Sequence, residues 1–363
     1  TCRPTSAPDP PRTHRHTPAP EAVPTSRFAM LVDAHAHLLP RDYPADAPEC
    51  LPRMEPIDGD TARLLLFGAT RFRAREVFFD AERRVEAMDA SGVTAEVLTP
   101  MPPLLRYDLP PADGLSLARH VNEYTATLCA ADPGRLIGFG IVPMQDPDAA
   151  ATELKAVRES GLLGVEIGSN ILGASIGDER FLPFFAEAER LDLPIFVHAM
   201  PAPTDRLPRS AMGTYVVGLE GTLAAASLIT GGTAAACPDL RVSFSHAAGG
   251  FPLMVPRAQY FWGGTWNEEP PIPERAIAHT EGPSPLDHAR RFYYDSMVFD
   301  RRALRYLIDL LGHDRLLVGS DYPAMEREDP AGRTLRSLDL PDAVLADITW
   351  HNAYRFLGVD PPR

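Results

Sequence analysis

Eight short apolar runs recur through the chain, and longer amphipathic stretches separate them. The runs are Met30–Ala34, Thr94–Thr99, Leu136–Val142, Gly164–Ile167, Pro194–Val197, Val242–Ser245, Arg291–Tyr294 and Leu316–Gly319. Each is apolar on both faces, the signature of a parallel strand covered from two sides. Between them, ERRVEAMDAS, LARHVNEYTATLCAAD, DAAATELKAVRES, FLPFFAEAERLD, TLAAASLITGGTAAA and RRALRYLIDLLG space their apolar residues three and four apart, as a helix stripe does. Several close in a glycine or proline turn (SGV, SGLLG, LDLP, CPDL) that leads into the next strand. The economical fold is an α/β (β/α)8 TIM barrel, with a doubly wound open sheet as the alternative. The open sheet is disfavoured because no G-x-G-x-x-G opens a helix after the first strand. Residues 39–78, rich in Pro and Arg, and 263–288, rich in Gly, Pro and His, read as long insertions. In a barrel such βα loops build the active-site face.

Residues 1–29 stand apart: they are Pro-rich, without apolar periodicity and without the apolar core of a signal peptide. So few large apolar residues cannot offset the entropy of ordering, so a disordered leader or upstream extension is expected. Met30 then opens a single domain spanning 30–363. His14 and His16 share an H-x-H spacing that follows no strand and is incidental. Aspartate and glutamate number 49 against 35 lysine and arginine, a formal charge of −14. That balance disfavours nucleic acid and an anionic membrane surface as partners. No apolar run reaches the roughly 18–20 residues of a membrane span. Cys2, Cys50, Cys129 and Cys237 are scattered without CxxC spacing, which suits thiols of a reducing compartment and a cytoplasmic location.

Polar residues at the strand ends carry the chemistry. The first strand closes in Asp33-Ala34-His35-Ala36-His37, and alternation turns His35 and His37 to one side. The fifth ends PIFVHAM with His198, the sixth VSFSHAAGG with His246, and the eighth LLVGSDYP with Asp321. All fall on the barrel face where catalytic groups of this fold sit. A lone histidine after a strand is ordinarily a cap or a core residue. Five such side chains at the ends of four separate strands are not explained by packing. Three imidazoles and a carboxylate suit one divalent ion, Zn²⁺ by preference or Mn²⁺ or another divalent metal, with positions left for water and substrate. No motif for an organic cofactor is present.

In this order the residues resemble the amidohydrolase superfamily. Within it the chain is similar to the 2-amino-3-carboxymuconate-6-semialdehyde decarboxylase-like branch of metal-dependent nonoxidative decarboxylases. The matching segments are VDAHAHLLP, RRVEAMDASGV, GRLIGFGIVPMQDP, GLLGVEIGSN, PIFVHAM, PDLRVSFSHAAGGFPLMVPR and RLLVGSDYP. The resemblance implies that His35, His37, His198 and Asp321 bind one Zn²⁺ together with water. His246 then serves as general acid or base, and Asp321 combines ligation with proton transfer. Arg257 matches an arginine that grips a substrate carboxylate, from a neighbouring subunit of a homodimer. Arg73 sits where a second such arginine lies, with Arg71 and Arg75 as alternatives in register. Arginine suits the role because its planar fork pairs two carboxylate oxygens.

Binuclear members bridge two metals with a carbamylated lysine on the fourth strand. The only lysine here, Lys155, lies in a helical pattern, and the fourth strand carries Glu166, so a mononuclear site follows. Glu166 either approaches the metal or accepts a hydrogen bond beside it. Asp33 is expected to orient a first-strand histidine, and Asn352, in WHNAYRFLG, to support the last helix. The chain departs from the branch at Ala199-Met200, at Ala247-Ala248 and at Ala324, which reshapes the pocket. The implied activity is nonoxidative decarboxylation of an aromatic or muconate-like acid. The alternative is hydrolysis of a lactone or amide by the same metal-activated water.

Overall fold

The computed structural model describes residues 30–362 apart from 45–50, 68–69, 203–205, 267–268 and 278–281. The leader with His14 and His16, and also Cys2 and Cys50, lies outside the described residues. Eight parallel strands follow one another around a barrel: β1 (Val32–Leu38), β2 (Ala95–Pro100), β3 (Leu136–Ile141), β4 (Gly164–Gly168), β5 (Ile195–His198), β6 (Val242–Phe244), β7 (Tyr293–Asp295) and β8 (Leu316–Leu317). Parallel bridges from Asp33 to Val318 and from Ala36 to Tyr322 join first strand to last and close the cylinder. Helices α1 (Ala81–Ser91), α2 (Pro111–Cys129), α3 (Pro147–Glu159), α4 (Leu182–Arg190), α5 (Val217–Thr230), α6 (Phe251–Gly263) and α7 (Arg301–Leu311) alternate with the strands outside it.

Local chemistry sets these boundaries. Asp80, Asp146 and Asp300 cap α1, α3 and α7 by accepting backbone N–H groups, each cap contributing about 1 kcal/mol. The TLAAASLITGGTAAA pattern is one helix that breaks at Gly231-Gly232, where Gly232 has φ 87°. Pro252 and Pro256 mask α6 in the sequence, yet Pro252 stands in its first turn, where no N–H is needed. The 39–78 insertion holds a three-stranded antiparallel sheet of Arg53–Pro56, Arg63–Phe67 and Thr70–Ala74.

Two apolar layers result. Outward residues such as Leu98, Val165, Ile167 and Val197 pack under the helices. Inward residues Val32, Ala34, Val97, Phe139, Phe196 and Leu317 fill the barrel together with Trp350, Tyr354 and Phe356 of the C-terminal helical segment. Asn352 ties that segment down by donating to the carbonyls of His313 and Leu316, at 2.7 and 2.8 Å. A register shift between Asp33 and Ala36 matters most for function. Val32 and Ala34 face the interior, whereas Ala36 and Leu38 face the helices. The bulge thus changes the parity of β1 midway, and His35 and His37 point inward, one level above the apolar filling.

Candidate metal centre

One nitrogen from each of His35, His37 and His198 and one oxygen of Asp321 lie within 4.8 Å of one another. His35 and His37 come from inside β1, which runs to Leu38 and not only to Ala34. His198 is the last residue of β5, and Asp321 follows β8 on a turn with φ 57°. The Nε2 atoms of His35 and His37 approach to 3.2 Å, and Asp321 Oδ1 lies 2.9 Å from His37 Nε2. His35 Nδ1 donates to Asp295 at 2.7 Å, and His37 Nδ1 is 3.0 Å from the Thr99 hydroxyl. With their Nδ1 atoms so engaged, both Nε2 lone pairs converge on one point. His198 adds a third nitrogen: its Nδ1 bonds the Ala199 carbonyl oxygen at 3.1 Å, while the buried Nε2 has no hydrogen-bond partner among the described residues. Converging lone pairs beside a carboxylate repel one another until a cation sits among them, so this donor set fits a divalent metal.

The charges agree. Burial opposes charge on every group here and holds the pKa values of His37 and His198 below the ordinary imidazole value, leaving neutral ligands. Burial acts the same way on His35, but the Asp295 hydrogen bond and nearby carboxylates outweigh it and raise its pKa. Asp321 is likewise opposed by burial, yet its contact with His37 and the surrounding imidazoles keep it ionised. The His246 ring stands at the edge of the cluster, its centroid 5.4 Å from that of His35 and 5.6 Å from that of His198. Burial lowers its pKa too, so it rests neutral.

Other sequence candidates fall elsewhere. Arg73 lies on the insertion sheet, exposed, and pairs with Asp60 at 2.6 Å. Its neighbour Arg75 reaches the rim: it donates to the Pro323 carbonyl at 3.3 Å, pairs with Glu326 at 3.2 Å and lies over the Tyr322 ring. Alternation would put both on one face, but the strand ends at Ala74, so Arg75 already belongs to the turn beyond it and is free to point elsewhere. Arg257 is exposed on α6, its guanidinium 4.8 Å from the Phe261 ring centre. Glu166 faces inward in register with Phe196, outside the cluster of four. Both its oxygens are buried without a hydrogen-bond partner among the described residues, and burial, opposed by the Thr99 hydroxyl, holds its pKa well above the usual range.

Asp33 does not orient an imidazole. The bulge turns it to the outer side of the barrel, where it accepts from the His35 backbone N–H at 3.2 Å and pairs with Arg327 at 3.1 Å. The carboxylate that holds His35 is Asp295. Sequence alone does not single it out, because the expected seventh strand stops at Tyr294, whereas the observed one ends on Asp295.

Fold and cluster together define a metal-binding (β/α)8 barrel with its donors at the carboxyl rim. The amidohydrolase family model matches residues 32–359, and the chain belongs to that family. A curated relative, 2-amino-3-carboxymuconate-6-semialdehyde decarboxylase of Dictyostelium discoideum, is 29% identical over 343 residues, covering 92% of this chain and 93% of its own. Among solved structures, 5-carboxyvanillate decarboxylase from Sphingomonas paucimobilis superposes with a TM-score of 0.72 at 23% identity, covering 92% of this chain and all of its own. A dihydroxybenzoic acid decarboxylase from Polaromonas sp. JS666, with bound manganese and the inhibitor 2-nitroresorcinol, superposes at 0.69 and 22% identity, covering 91% and 97%.

Proposed function

We propose that the protein is a divalent-metal-dependent nonoxidative decarboxylase of an aromatic or muconate-like carboxylic acid. The observation that carries this reading is the convergence of three imidazoles and Asp321 within 4.8 Å, with His246 beside them. The relatives named as decarboxylases support it. His35, His37, His198 and Asp321 would hold the ion, Zn²⁺ or Mn²⁺, which supplies Lewis-acid withdrawal of electrons from a bound carboxylate or hydroxyl oxygen. His246 is the proton carrier between the rim and the substrate. Its imidazole takes a proton from solvent and delivers it to the carbon that bears the carboxylate. The bond from that carbon to the carboxylate then breaks, CO2 leaves, and the electron pair restores the unsaturated system. Asp321, kept ionised, holds His37 in place and stabilises the cation that His246 becomes. The alternative, hydrolysis of a lactone or amide, uses the same side chains. Incubating the protein with Mn²⁺ and a panel of salicylates, dihydroxybenzoates and muconate semialdehydes tests the proposal. Release of CO2 with a solvent-derived hydrogen on the ring supports it, and ¹⁸O from labelled water in a product carboxylate refutes it.

The second part of the proposal is a homodimer built on α5 and α6. Within the helical stretch Arg209–Thr230, the most apolar 18-residue window is only 28% buried. Leu219 and Leu223 of α5 and Leu253 and Met254 of α6 are all exposed, around Arg257. Large exposed apolar side chains gathered on two successive helices suit an interface. A second copy would bury it and bring Arg257 into a partner's site as a carboxylate grip. Sedimentation should show a dimer that Leu219→Glu with Leu253→Glu converts to monomers. A wild-type monomer refutes this part alone.

A further inference from the structure

Asp295 accepts four hydrogen bonds while only 1% exposed. Its Oδ2 takes His35 Nδ1 at 2.7 Å and the His246 backbone N–H at 2.8 Å. Its Oδ1 takes the backbone N–H of Ala247 at 2.9 Å and of Met297 at 3.1 Å. One oxygen atom therefore joins a metal-cluster imidazole to the backbone of the proton carrier.

The backbone it holds is unusual. His246, Ala247 and Ala248 have φ of 52°, 52° and 56°, a left-handed run that residues with a Cβ avoid. Gly249 then turns the chain out of it with φ 59° and ψ −121°, and a Cβ there would stand 1.8 Å from the Gly218 carbonyl oxygen. Two glycines' worth of freedom is missing at Ala247 and Ala248, so the turn depends on outside support. The bonds from His246 and Ala247 to Asp295 provide it at the first two strained residues. Pairing of Phe244 with Tyr294 puts Asp295 beside the start of this turn.

We propose that Asp295 is a positioning residue that couples the metal ligand to the proton carrier. By accepting at Nδ1 it fixes the His35 tautomer and leaves Nε2 as a lone pair toward the cluster. By accepting from the backbone it bends the chain so that the His246 ring faces His35. The inference rests on the metal-dependent decarboxylation proposed above and adds that both placements share one carboxylate.

Asp295→Asn keeps the size but turns one acceptor into a donor, so some donor must face another in either orientation. Titration with Mn²⁺, read by the electron spin resonance of the free ion, should show affinity lower by about 10–100-fold. Turnover at saturating Mn²⁺ should fall as well. Adding Ala247→Gly relieves the strained turn and should recover part of the turnover with no gain in affinity. In a His246→Ala background the asparagine should cost almost no further turnover, because the group it places is gone. Unchanged Mn²⁺ affinity in Asp295→Asn, or turnover losses that multiply in the double variant, overturns the inference. Wild-type protein that takes up no divalent ion instead refutes the proposed function. Should the asparagine variant not fold, ¹⁵N-histidine NMR of the metal-free wild type decides. His35, assigned with His35→Gln, must carry its proton on Nδ1, and a proton on Nε2 overturns the inference.

Discussion

Replacing Arg327 by methionine removes the central cation of a buried charge network outside the barrel wall. Arg327 reaches back from the loop after β8 to Asp33 of β1 and Glu96 of β2, with the Asp33 contact at 3.1 Å. Its guanidinium lies 4.2 Å from the centre of the Tyr322 ring, next to Asp321. Among the described residues Arg84 is the other cation of the network, 3.1 Å from Glu96 and donating to the His37 carbonyl. Methionine keeps the stem and deletes the charge, leaving two carboxylates to one guanidinium. Breaking a buried pair this way costs about 3–5 kcal/mol. An independent ceiling comes from the carboxyl itself, which can escape by binding a proton. That costs the folded state about 1.4 kcal/mol per pH unit above an ordinary pKa near 3.9, hence about 4 kcal/mol at pH 7 and about 1.5 at pH 5. Burial already raises the pKa of Asp33 and Arg327 opposes the rise, so removing Arg327 raises it further. A carboxyl with a raised folded pKa loses stability as pH climbs above its unfolded value, so the deficit must be larger at pH 7 than at pH 5. Urea unfolding of metal-free wild type and Arg327→Met at both pH values measures it. A deficit below about 1 kcal/mol at pH 7, or one no smaller at pH 5, would refute a charge-held network.

Chelation should abolish turnover, and Mn²⁺ or Zn²⁺ should restore it; a hundredfold excess over the dissociation constant should stabilise the fold by about 2.7 kcal/mol, read as a shift in urea midpoint. His198→Ala should lose both metal and turnover, whereas His246→Ala should keep the metal and lose about 10²–10⁴-fold in kcat, so equal metal loss in both would reverse their assigned roles. Glu166→Gln should gain stability relative to wild type as pH rises above about 4.3, because the buried carboxyl with its raised pKa resists ionising only in the folded state. A stability difference that stays flat with pH would show that Glu166 is already charged in the metal-free protein.

The barrel was legible because its strands and helices each carry their own period. Four side chains that the structure brings together, His35, His37, His198 and Asp321, and the nearby His246 are candidates from sequence because each stands where an apolar run stops. Periodicity reports which face a residue takes on its own element, and a one-residue bulge is enough to upset it. Asp33 shows the consequence. Continuous alternation would align it with His35 and His37 on the inner face. The shift before Ala36 sends it outward to Arg327, and the imidazole it was expected to orient is held from across the barrel by Asp295. No local pattern distinguishes Asp295 from any aspartate after a strand, because its partners lie 260 residues away at His35 and 49 away at His246. The Arg73 and Arg75 pair fails for the same reason. Both are arginines of one insertion, and only the observed hairpin, which sends Arg73 to Asp60 and Arg75 to the loop behind Asp321, separates them. Donors at strand ends can thus be found from sequence alone. The carboxylates that aim them emerge only once the cylinder closes and sets β1 against β8 and β6 against β7.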